Sequence, residues 1–153
     1  MAAAWAREGR EEPARFAGDS MRPTIEPGGE VIVAWGRMPA DGEVGVFVAD
    51  ERLLVHRVLA RRGRVLLTRG DGAALPDLPL PVESVLGAVT SVTIGSERRP
   101  VPDAPSSIGR RLAAAAAMRA LRMGEGSARG LLVALWTLRR WLLVRPRRLL
   151  GGG

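Results

Sequence analysis

The chain has 153 residues, of which 46% are hydrophobic and 25% charged, enough for one domain with a core and an appendage. It contains no cysteine, which excludes disulfides, thiolate nucleophiles, cysteine-based zinc sites and iron–sulfur clusters. Its single histidine, His56, excludes a multi-histidine metal site, and all its basic residues are arginines. Any proton-accepting side chain must therefore be His56 or a carboxylate, and no metal or other cofactor is expected.

The net charge of +7 is concentrated in the C-terminal third of the chain. Residues 106–153 carry ten arginines against one acidic residue, Glu125, whereas residues 1–105 are slightly acidic. The basicity therefore belongs to a tail rather than to the whole domain.

Residues 1–15 have no core pattern and no apolar run of signal-peptide length, so we interpret them as a leader, helical if it is ordered. Five runs rich in Val, Leu and Ile follow, separated by turn sequences. They are EVIVAW (30–35), EVGVFVA (43–49), RLLVHRVLA (52–60), RVLLTRG (64–70) and VLGAVTSVTI (85–94). No helix-length segment lies between them, so residues 16–95 are predicted to form a mainly β domain, a small antiparallel barrel or coiled ribbon.

The polar, proline-rich residues 96–107 are interpreted as a linker. Beyond them, an alanine-rich helix is predicted over 108–123 and a second helix over 128–144, within a basic tail spanning 108–150. Leucines at helical spacing predict the apolar face of the second helix: Leu131, Leu135, Leu138 and Leu142. The apolar stretch 130–144 is too short for a conventional transmembrane helix and contains Arg139 and Arg140.

Two interpretations of the tail stand side by side. In one, a basic amphipathic helix lies on an anionic membrane, with Trp136 and Trp141 at the interface. In the other, a helical hairpin packs on the β domain or on a partner, and its arginines are solvated. Nucleic-acid binding is not expected, since aromatic residues are few and only the tail is basic.

Three polar features of the β domain attract attention: Ser20 in FAGDSMRPT, His56 in an apolar strand, and TRGDGAALPD (68–77) with Asp71 and Asp77. Each has an ordinary structural interpretation. Ser20 and Asp71 suit tight turns, and a lone strand histidine is commonly satisfied by a backbone carbonyl. Taken singly, none of them predicts an active site.

Taken together, these residues predict a serine nucleophile. A serine hydroxyl needs a base, and His56 is the one near-neutral base in the chain. Asp71 or Asp77 would fix the imidazole tautomer and stabilise its charged form. Backbone N–H groups around Ser20 would face the developing oxyanion, so Gly18, Asp19, Met21 and Pro23 are predicted to form the substrate-binding and oxyanion region.

The same residues carry a family resemblance over about 16–94. GDSMRPTI resembles the nucleophile box of type I signal peptidases and the related self-cleaving repressor peptidases, the S24/S26 group. LLVHRVL resembles the box that carries their base, and LTRGDGAALPDLPLPVESVLGAV (67–89) resembles the Gly-Asp box before a returning strand. The resemblance implies Ser20 as nucleophile and His56 as base, as in the archaeal and endoplasmic-reticulum-type enzymes. It implies Asp71 or Asp77 as the supporting acid.

The expected function is therefore that of a signal-peptidase-like serine endopeptidase that cleaves a peptide or protein precursor. The expected location is the cytoplasm, with peripheral contact to the membrane through the tail. The alternative is a non-enzymatic, repressor-like or scaffold domain whose basic tail binds a partner or a membrane surface.

Overall fold

The computed structural model describes residues 10–105 and 107–144, with side chains through residue 140. In chain order its strands are β1 (Glu11–Arg15), β2 (Glu30–Trp35), β3 (Val44–Ala49), β4 (Arg52–Arg62), β5 (Val65–Arg69), β6 (Leu80–Pro81), β7 (Val85–Ile94) and β8 (Glu97–Pro100). A single 3-10 turn, Val82–Ser84, precedes β7, and two helices follow, α1 (Ile108–Met123) and α2 (Glu125–Val144). The expected combination of a mainly β domain and a helical tail is confirmed.

All eight strands belong to one antiparallel sheet. Seven of them follow the order β1-β2-β7-β3-β4-β5-β6, and β8 lies outside this order and pairs with β7. The long strand β7 organises this sheet: it pairs with β2 along one side, and with β3 and then β8 along the other. The sheet has free ends at β1 and β6, so it does not close into a barrel. The turn between β4 and β5 is the tight hairpin that the sequence RRGR favours, with Gly63 at a φ of 57°.

Apolar side chains from both faces of the sheet form the core. The largest cluster joins strands β2, β3, β4 and β7 to Met21 and Ile25 in the turn after β1. A smaller cluster packs Phe47, Val58 and Leu66. Both faces of the central strands are covered by other residues, which explains why the sequences of these strands are nearly continuous runs of apolar residues.

The two helices form a hairpin that packs on the sheet. Leu67 of β5 packs in a cluster with one alanine and one leucine from each helix: Ala117, Leu121, Ala128 and Leu132. Alanines at the contact let the helices approach the sheet closely. Among the described residues, neither helix combines the length and the apolar character needed to cross a bilayer.

The predicted apolar face of the second helix was right only in part: Leu131 and Leu135 are partly buried. Ala128 and Leu132 are fully buried, whereas Leu138 is half exposed. The side chain of Leu142 lies outside the described part. The second helix also begins at Glu125 rather than 128, because Gly124 alone, at a φ of 128°, breaks the chain between the helices.

Two segments outside the predicted β domain belong to its sheet. Residues 11–15, predicted as part of a leader that was helical if ordered, form β1 and pair with β2. Residues 97–100, predicted as linker, form β8 and pair with β7. Both are polar edge strands whose conformation comes from the neighbouring strand rather than from their own sequence. Residues 1–9 of the predicted leader and 145–150 of the predicted tail lie outside the described residues.

Candidate active site

Ser20, His56 and Asp77 form a continuous hydrogen-bonded chain. The Oγ atom of Ser20 lies 3.0 Å from Nε2 of His56. On the other side of the ring, Nδ1 of His56 lies 2.5 Å from Oδ2 of Asp77. This connectivity joins a hydroxyl to an imidazole and the imidazole to a carboxylate, which is the arrangement of a serine hydrolase triad.

His56 is held by the strand that carries it. In the middle of β4, it stands opposite Gly45 of β3 and is only 6% exposed. Because side chains alternate along a strand, the neighbouring Arg57 binds different partners on the other face. The imidazole ring is therefore fixed between two polar groups inside an otherwise apolar strand.

Thr68 completes the support of the acid. Its hydroxyl donates to Oδ2 of Asp77 at 2.7 Å, and the backbone N–H of Asp77 donates to the carbonyl of Thr68 at 2.8 Å. Oδ2 thus accepts from both Thr68 and Nδ1–H of His56. Sequence reasoning missed Thr68, although a polar residue within the apolar run VLLTR was an available signal. In the structure this threonine is fully buried.

The turn that carries Ser20 is anchored by its neighbours. Met21 and Ile25 are buried in the main core cluster, and the N–H of Ile25 donates to the carbonyl of Met21 at 3.0 Å. The N–H of Gly72 donates to the carbonyl of Ser20 at 2.8 Å. These bonds join the turn that carries Ser20 to the Gly-Asp loop, so the hydroxyl of Ser20 faces His56 from a fixed backbone.

Asp71 has a different set of partners from Asp77. Its carboxylate accepts from Nε and Nη2 of Arg57 at 2.9 and 2.6 Å, and it also accepts from the hydroxyl of Thr24. Both members of this ion pair are buried, with side-chain exposures of 5% for Arg57 and 1% for Asp71. Of the two aspartates left open by the sequence, Asp77 therefore contacts His56, while Asp71 joins β4 to the turn after Ser20.

Gly70 marks how tightly these elements approach one another. A Cβ atom at this position would lie 2.5 Å from the carbonyl oxygen of Ser20 and 2.9 Å from Nε2 of His56. Real Cβ atoms do not tolerate such distances, and the nearest obstacle is backbone. Sequence analysis included Gly70 only as part of the Gly-Asp turn and missed how closely it approaches Ser20 and His56.

The other predicted residues surround the nucleophile in different ways. Gly18 and Asp19 are exposed beside Ser20, whereas Met21 is fully buried and acts as a core anchor. Pro23 is exposed and borders a separate cleft that also involves Thr24. The oxyanion role of the backbone in this region stays a prediction.

Two side chains of the tail region, assisted by Arg69 of β5, hold the loop that connects Asp71 to Asp77. Arg110 of α1 donates to the carbonyls of Asp71 and Gly72. Arg69 donates to the carbonyl of Arg110 at 3.0 Å, and Trp136 of α2 donates from Nε1 to the carbonyl of Pro76 at 2.9 Å. The helical hairpin therefore binds the loop at both of its ends.

Arg69 is the buried cation closest in sequence to this loop. Burial lowers the pKa of its guanidinium, and the positive charge of Arg110 lowers it further, while Asp71 and Asp77 act in the opposite direction. Its Nε is a buried atom without a hydrogen-bond partner among the described residues. The positive charge of Arg69 thus lies in the electrostatic surroundings of both aspartates.

The described residues contain no cluster of three or more His, Cys, Asp or Glu side chains suited to a metal ion. The described site itself brings together a hydroxyl, an imidazole and a carboxylate.

Comparison of the chain with protein-family models and with curated protein sequences gives no match.

Proposed function

We propose that this protein is a serine endopeptidase of the signal-peptidase-like type. The observation that carries the proposal is the chain Ser20 Oγ–His56 Nε2–Asp77 Oδ2, with distances of 3.0 and 2.5 Å. The distance between Ser20 Oγ and His56 Nε2 is within the reach required of a nucleophile and its base, and Asp77 binds the other nitrogen of the ring. The resemblance of the boxes around Ser20 and His56 to the S24/S26 peptidases is a second, independent support.

In the proposed reaction, Ser20 Oγ attacks a peptide carbonyl while Nε2 of His56 takes its proton. Asp77 stabilises the resulting imidazolium through Nδ1. His56 then returns the proton to the leaving amine, which breaks the peptide bond and leaves an ester on Ser20. Water, deprotonated by His56, hydrolyses the ester and restores the hydroxyl.

An unpaired strand edge beside His56 supports a polypeptide substrate. β5 pairs with β4 only from Arg57 onward, so residues 52–56 have a strand partner on the β3 side alone. The N–H of Val58 donates toward β3, to the carbonyl of Glu43. Because main-chain groups alternate in direction along a strand, those of Leu53 and Val55 point to the open side. An extended peptide can pair there as an added strand that leads to Ser20.

We place the expected site of action in the cytoplasm, on a peptide or protein precursor. Membrane contact through the tail is limited by one observation: Trp136, predicted to lie at a membrane interface, donates to Pro76 within the protein. The side chain of Trp141, the other residue predicted at a membrane interface, lies outside the described residues.

The test is covalent labelling. A small alkyl fluorophosphonate should add to Ser20 of the full chain, detected as a mass increase and located by peptide mapping. Ser20→Ala should take up none, and His56→Ala should react far more slowly. Ser127, which is exposed on α2, serves as the internal control for non-specific labelling. Failure of Ser20 to react would favour the non-enzymatic alternative and refute the peptidase proposal.

A further inference from the structure

A groove of about 750 Å³ runs beside the candidate active site. Large apolar side chains line it, and several of them are unusually exposed for their size: Leu53 (66%), Val133 (48%), Trp136 (39%) and Leu78 (38%). They come from three parts of the chain, namely β4, the loop after Asp77 and helix α2. Apolar side chains that converge on one concave surface are typical of a binding site rather than of an ordinary exterior.

One wall of the groove exists because the helical hairpin packs on the sheet. Val133 and Trp136 both belong to α2, which Ala128 and Leu132 fix to the sheet through Leu67. The indole of Trp136 is further held by its hydrogen bond to Pro76. This wall is therefore formed before any ligand arrives, which reduces the entropy lost on binding.

The groove is continuous with the candidate active site through two features. Asp77, whose carboxylate binds His56, lines the groove. Leu53, which offers its main chain on the open side of β4, lines it as well. A polypeptide strand added to this edge would therefore carry its side chains along the groove.

We propose that the groove is a specificity site for a bulky apolar side chain, such as leucine, of an extended peptide substrate. Helix α2 supplies its outer wall. The proposal rests on the proposed peptidase function and adds the substrate class. Apolar pockets that accept or lose one or a few methylene groups typically discriminate about 10- to 200-fold, so leucine should be preferred to alanine by at least roughly tenfold.

The probes are tetrapeptidyl phosphonate esters built of alanine, with one alanine replaced in turn by leucine. The rate of covalent addition to Ser20 is followed by intact mass. In the wild-type chain, one leucine position should react at least roughly tenfold faster than the all-alanine probe. Equal rates for all probes would overturn the proposal.

Two variants test the location. Val133→Asp puts a carboxylate into the groove wall and should reduce the leucine preference to near unity. Leu138→Asp is its matched control: it lies on the same helix, is similarly exposed at 52%, and does not line the groove. Leu53→Asp, on the opposite wall, gives a second perturbation if Val133→Asp fails to fold. A preference that persists in the folded groove variants would overturn the proposal.

The outcomes separate this inference from the function on which it rests. If the small fluorophosphonate fails to label Ser20, the peptidase function is refuted, and the groove proposal falls with it. If the fluorophosphonate labels Ser20 but leucine gives no advantage, only the groove proposal is refuted. If Val133→Asp weakens binding to vesicles of anionic phospholipid and leaves probe selectivity unchanged, the groove serves a membrane and the proposal is likewise overturned.

Discussion

Replacing each of the two aspartates in turn separates the acid that serves His56 from the acid that serves the fold. Asp77→Asn leaves a side chain of the same shape beside His56. However, Oδ2 of Asp77 accepts from both Nδ1 of His56 and the hydroxyl of Thr68. A neutral amide cannot stabilise the imidazolium, and if its NH₂ faces the ring it favours the wrong tautomer. Such a substitution in a catalytic triad typically lowers the rate by about 10⁴-fold.

Asp71→Asn should have its main effect on stability. Asp71 and Arg57 are almost entirely buried and joined by two bonds of 2.9 and 2.6 Å. Removing one charge leaves the other buried without its ionic partner, which typically costs about 3–5 kcal/mol in the free energy of unfolding. For a chain of this size, each kcal/mol lowers the Tm by about 2–4 °C, so a fall of about 6–20 °C is expected.

The assay combines two measurements on each variant. Urea unfolding, followed by tryptophan fluorescence, gives the free energy of unfolding. The rate of fluorophosphonate addition to Ser20 at 25 °C then gives reactivity under conditions in which the variant is folded. Asp77→Asn should unfold within about 2 kcal/mol of wild type, since it perturbs hydrogen bonds to a charged group. If folded Asp77→Asn labels within about tenfold of wild type, which is 1.4 kcal/mol of barrier, the assignment of Asp77 is refuted.

Two further predictions concern the approach of the backbone and the charge of the surface. Gly70→Ala should reduce labelling of Ser20 by about 100-fold, the loss typical of a 1 Å displacement, because the new Cβ collides with its carbonyl. Gly109→Ala, with open space around it, is the control, and equal rates in both variants would contradict the expectation. For Glu43, burial raises the pKa, but the Ala40 N–H and the Arg37 guanidinium outweigh it and lower the pKa below 4.5. Because the pKa of Glu43 is lower in the folded state, its ionised carboxylate stabilises the fold at pH values above 4.5. This contribution is lost as the pH falls through the lowered pKa of the folded state. Glu43→Gln should therefore cost less than about 1 kcal/mol at neutral pH, since the side chain is 39% exposed, and nothing once the carboxyl is protonated. Urea unfolding at a series of pH values checks this, and a pH-independent difference would contradict it.

The sequence predicted the central strands well because their residues need little help from elsewhere. EVIVAW and VLGAVTSVTI are observed as β2 and β7 with the predicted bounds. The edge strands β1 and β8 could not be predicted in this way, since EEPAR and ERRP contain few strand-favouring residues. They are extended because β2 and β7 offer unpaired hydrogen-bonding groups beside them.

The site shows the same division between local and long-range information. The inventory of one histidine and no lysine pointed to Ser20 and His56. The choice between Asp71 and Asp77 could not be made, because both follow β5 in one loop and only five residues lie between them. That choice depends on the path of the loop, which contacts from α1 and α2 hold. The buried face of α2 was predicted only in part, because leucines occupy several sides of this helix and a small buried residue such as Ala128 carries no strong hydropathy signal.

The hydrogen bonds from the helical hairpin to the loop between Asp71 and Asp77 affect the order in which the candidate site is assembled during translation. Ser20 and His56 are synthesised before Arg110 and Trp136, which follow tens of residues later. In the sheet, β1 pairs with β2, and β3 pairs with β4 and β4 with β5, but only the later strand β7 joins these two groups. Thr68 holds Asp77 from the side of β5, and the loop between Asp71 and Asp77 gains its contacts with Arg110 and Trp136 only after the hairpin has docked. The proposed hydrolytic centre therefore has the full support of its loop only after α2 has been synthesised and has docked.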